Sequence, residues 1–145
     1  MKKCNEVMTR NLVCCGPDDM VTKVAQLMQS ENIGSIPVVE NERTQKLVGI
    51  VTDRDLVLKI IAGECDVKYT KVDAVMTRKV VTCRAEDDLQ VALDAMAEHQ
   101  LRRMPIVDND NKIVGIIAQA DVATRSNLPE DTATMVKEIS QSNVM

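Results

Sequence analysis

Apolar positions along this chain change their period in a fixed order, and the order then repeats. Leu47 to Val51 is an apolar run rich in β-branched residues, which predicts a strand. The run stops at Thr52, and Leu56, Val57, Ile60 and Ile61 follow at helical spacing. Upstream, Val21, Val24, Ala25, Leu27 and Met28 mark the apolar face of an amphipathic helix. A short strand is expected from Leu12 to Cys15, and another around Pro37-Val38-Val39. Pro37 suits a strand start or edge, because it has no N–H to give to an interior ladder. A polar loop from Glu40 to Lys46 closes a hairpin onto the Leu47 strand. The unit is therefore strand–helix–strand–strand–helix.

The same grammar returns with the residues almost in step. Val7-Met8-Thr9-Arg10 recurs as Val75-Met76-Thr77-Arg78, an offset of 68 that holds without a gap to Val39 and Val107. Along it Val13 answers Val81, Cys15 answers Cys83, Asp19 answers Asp87, Met28 answers Met96 and Pro37 answers Pro105. The second copy thus expects a strand from Val80 to Cys83 and a helix whose face is Leu89, Ala92, Leu93, Met96 and Ala97. Its later strand lies around Pro105-Ile106-Val107. The first hairpin loop is longer by two residues, after which the offset is 66 and Val48-Gly49-Ile50 answers Val114-Gly115-Ile116. Asp55 answers Asp121. This is an internal duplication, and it frames every local motif. It predicts an α+β fold of two βαββα repeats with small three-stranded sheets, packed as a pseudo-twofold pair. The first repeat covers residues 5–62, a linker 63–73, the second repeat 74–124 and a tail 125–145. Gly63 is expected to end the preceding helix. The tail reads either as a helix beginning near Pro129 or as a frayed terminus.

Composition narrows the function classes. The 145 residues are 45% hydrophobic, enough for a real core. A formal charge of −4 offers no general field for nucleic acid or anionic lipid, and one Tyr with no Phe or Trp leaves no base-stacking platform. No apolar run has transmembrane length, and the first residues lack the apolar stretch of an export signal. Five cysteines without framework spacing suit a reducing, cytoplasmic setting. Cys14 and Cys15 are adjacent, so a strand points them to opposite faces. With His99 the only histidine, no metal site is expected. Cys15 and Cys83 read as small buried hydrophobes rather than redox groups.

Gly49-Ile50-Val51-Thr52-Asp53-Arg54-Asp55 carries the chemistry. It places a hydroxyl, free backbone N–H groups and a carboxylate at one helix N-terminus. A capping box between Thr52 and Asp55, with no ligand, accounts for the motif taken alone.

Three features, met in order in the first copy and again in the second with Ala118 in place of the threonine, identify the chain as resembling a tandem CBS-domain pair, or Bateman module. They are Val-Met-Thr before the first strand, the Pro-headed strand, and the Gly-x-x-Thr-x-x-Asp motif. The resemblance spans about residues 5–124. It implies clefts between the repeats, adenosine-derived ligands (AMP, ADP, ATP, S-adenosylmethionine or NAD), a homodimer, and regulation of a separate protein rather than catalysis. Leu56, Ile60 and Val122 are the expected dimer contacts.

Carried over residue by residue, the resemblance makes Asp55 the acceptor for the ribose hydroxyls and Thr52 the hydroxyl beside them. Ile50 and Ile33 would cover the two faces of adenine, and the backbone near Ser35 and Ile36 would read its edge. Arg103, two before Pro105, matches a phosphate-binding arginine that serves the other repeat's Asp. Arg102 sits beside it, with phosphate binding and a solvated turn both open. The second site keeps Ile116 and Asp121, but Ala118 has no hydroxyl and Ser35 stands where the first site has Arg103, so weak or absent binding is expected there. Two readings compete with nucleotide sensing. One is an interaction module without a ligand. The other is a small nucleotide-hydrolysing enzyme, which would need a base or metal that the sequence does not show.

Overall fold

The computed structural model describes residues 2–120 and residue 122. The notable elements expected from 125–145 lie outside the described residues. The chain forms two compact units, each built from both repeats. One is Val13–Val80; the other joins the chain up to Leu12 to the residues from Val81 onward. The repeats of the sequence and the units of the fold are therefore offset by one motif.

That motif is Val-Met-Thr. Thr77 exchanges both backbone hydrogen bonds with Ile50, at 2.8 and 2.9 Å, and Thr9 does the same with Ile116, at 2.9 and 3.0 Å. The methionine then lies over the repeat's glycine. A Cβ on Gly49 would stand 2.8 Å from Met76 Sδ, and one on Gly115 would stand 2.4 Å from Met8 Sδ. Only a residue without a side chain lets Met8 and Met76 approach so closely, which is why Gly recurs in both Val-Gly-Ile strands.

In unit Val13–Val80 the helix α2 is Val21–Glu31, and the hairpin strands are β1, Ser35–Val39, and β2, Leu47–Thr52. The helix α1, Cys4–Val7, belongs to the other unit, with β3, Cys83–Arg84, α4, Leu89–His99, β4, Arg103–Val107, and β5, Ile113–Ala118. Both long helices end on a left-handed residue at the same repeat position, Asn32 with φ 54° and Gln100 with φ 56°. The next N–H closes back on the helix, from Ile33 to the Met28 carbonyl and from Leu101 to that of Met96.

The strands expected at Leu12 to Cys15 and Val80 to Cys83 are mostly unpaired. Cys15 makes one parallel bridge to Val38, whereas Cys83 and Arg84 pair with Ile106 and Val107. The first copy stops sooner because Gly16-Pro17 follows Cys15: Pro17 has no N–H to continue the ladder. So one unit has a two-stranded ribbon, β1-β2, and the other a three-stranded sheet, β3-β4-β5. Pro37 and Pro105 lie inside β1 and β4 rather than at their starts.

In each hairpin alternate residues of the two strands enter the core. Ile36, Val38 and Val51 are fully buried on one face, in a core with Val21, Val24 and Val72. Met104, Ile106 and Ile117 do the same beside Leu89, Leu93 and Met96. The alternation of a strand then sends Ser35, Ile50 and Thr52, or Arg103, Ile116 and Ala118, to the opposite face.

Past β2, helix α3, Asp53–Asp55, runs into a π-helical turn, Leu56–Ile61. The left-handed residue that follows is Glu64, not Gly63. Gly63 is needed for a different reason: a Cβ there would lie 2.3 Å from the Lys59 carbonyl oxygen. The proposed linker holds two short 3-10 turns, Val67–Tyr69 and Val72–Ala74, and Val72 is fully buried. The expected dimer contacts are corrected by burial. Ile60 and Val122 belong to the cores of their own units and Leu56 packs against one. The wider π turn instead exposes Val57, Leu58 and Ile61. Among the described residues no helix is long and apolar enough to cross a membrane.

Candidate functional site

The Asp55 carboxylate meets three neighbours of its own unit. Its Oδ2 accepts the Thr52 N–H at 3.0 Å, while the Asp55 N–H donates to Thr52 Oγ1 at 3.0 Å. The capping box is therefore formed in full, and it orients the carboxylate toward the end of the ribbon. Lys59, one helical turn on, places Nζ 3.2 Å from Asp55 Oδ1 and donates to the Val75 carbonyl at 2.8 Å. The Thr77 hydroxyl lies 3.3 Å from Oδ1 and 3.4 Å from Oδ2. Only 12% of the Asp55 side chain remains exposed.

Next to this carboxylate the ribbon presents the other residues named from the sequence. Ser35 stands directly opposite Thr52, and Pro37 opposite Ile50. Because Ile50 turns both backbone groups to Thr77, the antiparallel alternation turns those of Ser35 and Thr52 away from each other. The Ser35 N–H and C=O thus point off the ribbon's edge, and among the described residues Ser35 makes no backbone hydrogen bond outside the sheet. They can serve an adenine edge, which offers one donor and one acceptor side by side. Ile33 and Ile50 are half-buried, so each keeps apolar surface for a flat ring. The Ile36 side chain is fully buried in the core, and the same alternation pairs its backbone with Val51, so of the two expected edge readers only Ser35 keeps free backbone groups. Gly34 sits at the turn into β1, where its carbonyl accepts the Asp53 N–H at 2.9 Å.

The second unit repeats this frame with other side chains. Arg103 faces Ala118 across the ribbon, and the Gln119 N–H donates to the Arg102 carbonyl at 2.9 Å. Arg102 is exposed. Arg103 is half-buried, and its Nε is buried with no hydrogen-bond partner. A buried guanidinium nitrogen without a partner costs stability. Ile116 is 4% exposed, so it offers less apolar surface than its counterpart Ile50. Asp121 lies outside the described residues.

Lys59 and Thr77 were not among the site residues named from the sequence. Lys59 was legible as the i, i+4 partner of Asp55. Thr77 was not, because its motif had been assigned to the second repeat whereas its backbone completes the first unit's ribbon.

Thiol chemistry is subdued. Burial pushes the Cys4 and Cys15 thiols up to about 12 and that of Cys83 up to about 11. They are therefore protonated and poor nucleophiles near neutrality. In native protein at pH 8, thiol-labelling reagent should react rapidly with exposed Cys65 and reach Cys4, Cys15 and Cys83 only on unfolding. Fast native labelling of Cys15 or Cys83, read by peptide mass spectrometry, would point to redox-accessible thiols instead. Among the described residues, no group of three or more His, Cys, Asp or Glu side chains is placed to hold a metal.

Comparison with known proteins agrees with this architecture. The family model for the CBS domain matches residues 4–62 and 72–127. The CBS domain-containing protein YhcV of Bacillus subtilis is 35% identical over 144 residues, covering 99% of each chain. Inosine-5'-monophosphate dehydrogenase of Methanocaldococcus jannaschii is 37% identical over 130 residues, 90% of this chain but 25% of the dehydrogenase. This chain thus spans about a quarter of that relative. Among solved structures, CBSX2 of Arabidopsis thaliana in complex with AMP aligns with a TM-score of 0.75 at 26% identity, covering 90% of this chain and 99% of that one. Hypoxic Response Protein I with two coordinated zinc ions aligns at 0.76 and 29% identity, over 85% and 98% of the two chains.

Proposed function

Since this chain belongs to the CBS-domain family, as a tandem pair forming a regulatory module, we propose that it senses an adenine nucleotide (AMP, ADP or ATP) and signals to a separate protein. The observation that carries the reading is the outer face of the β1-β2 ribbon. There Ile50, Thr52 and the outward-turned backbone of Ser35 stand beside a half-buried, oriented carboxylate, on the face opposite Ile36, Val38 and Val51. Ile33 and Ile50 hold the adenine, the backbone of Ser35 reads its edge, and Asp55 takes the ribose. Arg103 meets the phosphate, with Arg102 an exposed auxiliary. AMP bound to CBSX2 supports the ligand class. S-adenosylmethionine gives Arg103 no phosphate to meet, and NAD would have to fit a second nucleoside. The Ile116 and Asp121 site is the weaker one, and self-association belongs to the same reading.

Arg103 provides the test. Arg103→Ala should weaken AMP about tenfold or more, because a charge-assisted hydrogen bond contributes roughly 1.5–3 kcal/mol. Adenosine, which lacks the phosphate, should bind the variant as it binds the wild type. Calorimetric titration of both proteins with both ligands reads the difference. Equal losses for AMP and adenosine would make Arg103 a structural residue and remove the phosphate from the proposal.

A further inference from the structure

The lone-pair count at Asp55 leads further than the family resemblance does. An ionised carboxylate has about four lone-pair positions, two on each oxygen. The Thr52 N–H takes one on Oδ2, at 3.0 Å, and Lys59 Nζ takes one on Oδ1, at 3.2 Å. One position on each oxygen is left, which is what a vicinal diol requires. Both are straddled by a single hydroxyl, that of Thr77, at 3.3 and 3.4 Å. Those distances are long for O–H···O contacts, whose usual range is about 2.5–3.0 Å. The Thr52 and Lys59 contacts hold the carboxylate in place; the Thr77 contact is loose. Thr77 is exposed, and its backbone is anchored by both hydrogen bonds to Ile50. Its side chain can therefore rotate away without disturbing the ribbon.

We propose that the Thr77 hydroxyl is a placeholder for the ribose diol at Asp55, displaced by a ribonucleotide but retained beside a deoxyribonucleotide. Thr77 would thereby set how strongly the site distinguishes the two sugars. With AMP, the 2'- and 3'-hydroxyls take both open positions and Thr77 turns to solvent. With 2'-deoxy-AMP, the 3'-hydroxyl takes one position and the Thr77 hydroxyl keeps the other. Thr77 thus softens the penalty for the missing hydroxyl. Removing it should make the site more selective for ribose, a change opposite in sign to the loss of a ligand contact.

This inference rests on the proposed nucleotide reading, and the experiment separates the two. Titration calorimetry of wild type, Thr77→Val and Thr77→Ser with AMP and with 2'-deoxy-AMP gives a preference ratio for each protein. The ratio in Thr77→Val should exceed the wild-type ratio by roughly two- to tenfold, the range for one net hydrogen bond, with AMP affinity equal or improved. Thr77→Ser, which restores the hydroxyl, should bring the ratio back. An unchanged or lower ratio in Thr77→Val, with wild type binding AMP normally, overturns the placeholder alone. So does a tenfold loss of AMP affinity in Thr77→Val, which would make Thr77 a ligand contact. Wild type that binds neither nucleotide overturns the nucleotide reading together with the inference.

Discussion

Asp55→Ala is expected to weaken AMP binding ten- to hundredfold or more and to lower stability in the same protein. The binding loss follows from the ribose hydrogen bonds to an ionised acceptor, each worth roughly 1.5–3 kcal/mol. The stability loss follows from the capping box. Thr52 N–H is part-buried and would lose its acceptor, at about 1–3 kcal/mol, and Lys59 would lose its carboxylate partner. The two effects separate in Asp55→Asn. Its amide oxygen can still accept from Thr52, so most of the stability should return, while the charge that strengthens the ribose contacts is gone. Urea denaturation and calorimetry on both variants read the two losses independently. If Asp55→Asn binds AMP as wild type does, the carboxylate is a cap and nothing more.

The second large effect lies where the duplicated motifs meet. Gly115→Ala should cost about 1–3 kcal/mol, because its new Cβ would fall 2.4 Å from Met8 Sδ and 2.7 Å from Met8 Cγ. Met8 is itself 5% exposed, so it has little room to move aside. Met8→Ala alone should cost about 2–5 kcal/mol as a large-to-small core change. In the double variant the alanine methyl enters space that Met8 vacated. Its loss should therefore fall short of the sum of the single losses by more than about 0.5 kcal/mol, the usual limit for independent sites. Additive losses in urea denaturation would mean that Met8 and Gly115 do not share the contact described.

How much of this could be read from the chain depends on the range of the physics involved. The helices over Val21–Glu31 and Leu89–His99 and the hairpins after them were legible, because amphipathic period and turn composition are local properties. So was the pairing of Thr52 with Asp55, fixed by a three-residue spacing. The expected strands before the helices were mostly not formed, since a strand needs a partner and only Cys15, Cys83 and Arg84 find one. The role of Val-Met-Thr was the chief gap. Its residues repeat with the second copy, yet Thr77 pairs with Ile50 and Thr9 with Ile116, a connection that no local period encodes. Thr77 was missed at the site for the same reason. The expected dimer face failed on a finer point. Helical spacing put Leu56 and Ile60 on a shared face, but the π turn widens the rotation and leaves Val57, Leu58 and Ile61 outside. Arg103 was named from the resemblance, and its role at the phosphate is a proposal that the titrations decide.

Calorimetric titration of the wild-type chain with AMP tests the central claim most directly. The account predicts saturable binding with one tight equivalent per chain, because the proposed first site has the Thr52 hydroxyl where its counterpart has Ala118. It also predicts tighter binding of AMP than of adenosine. Absence of saturable heat with AMP, ADP and ATP up to millimolar concentration would contradict it and leave the chain as an interaction module without a nucleotide.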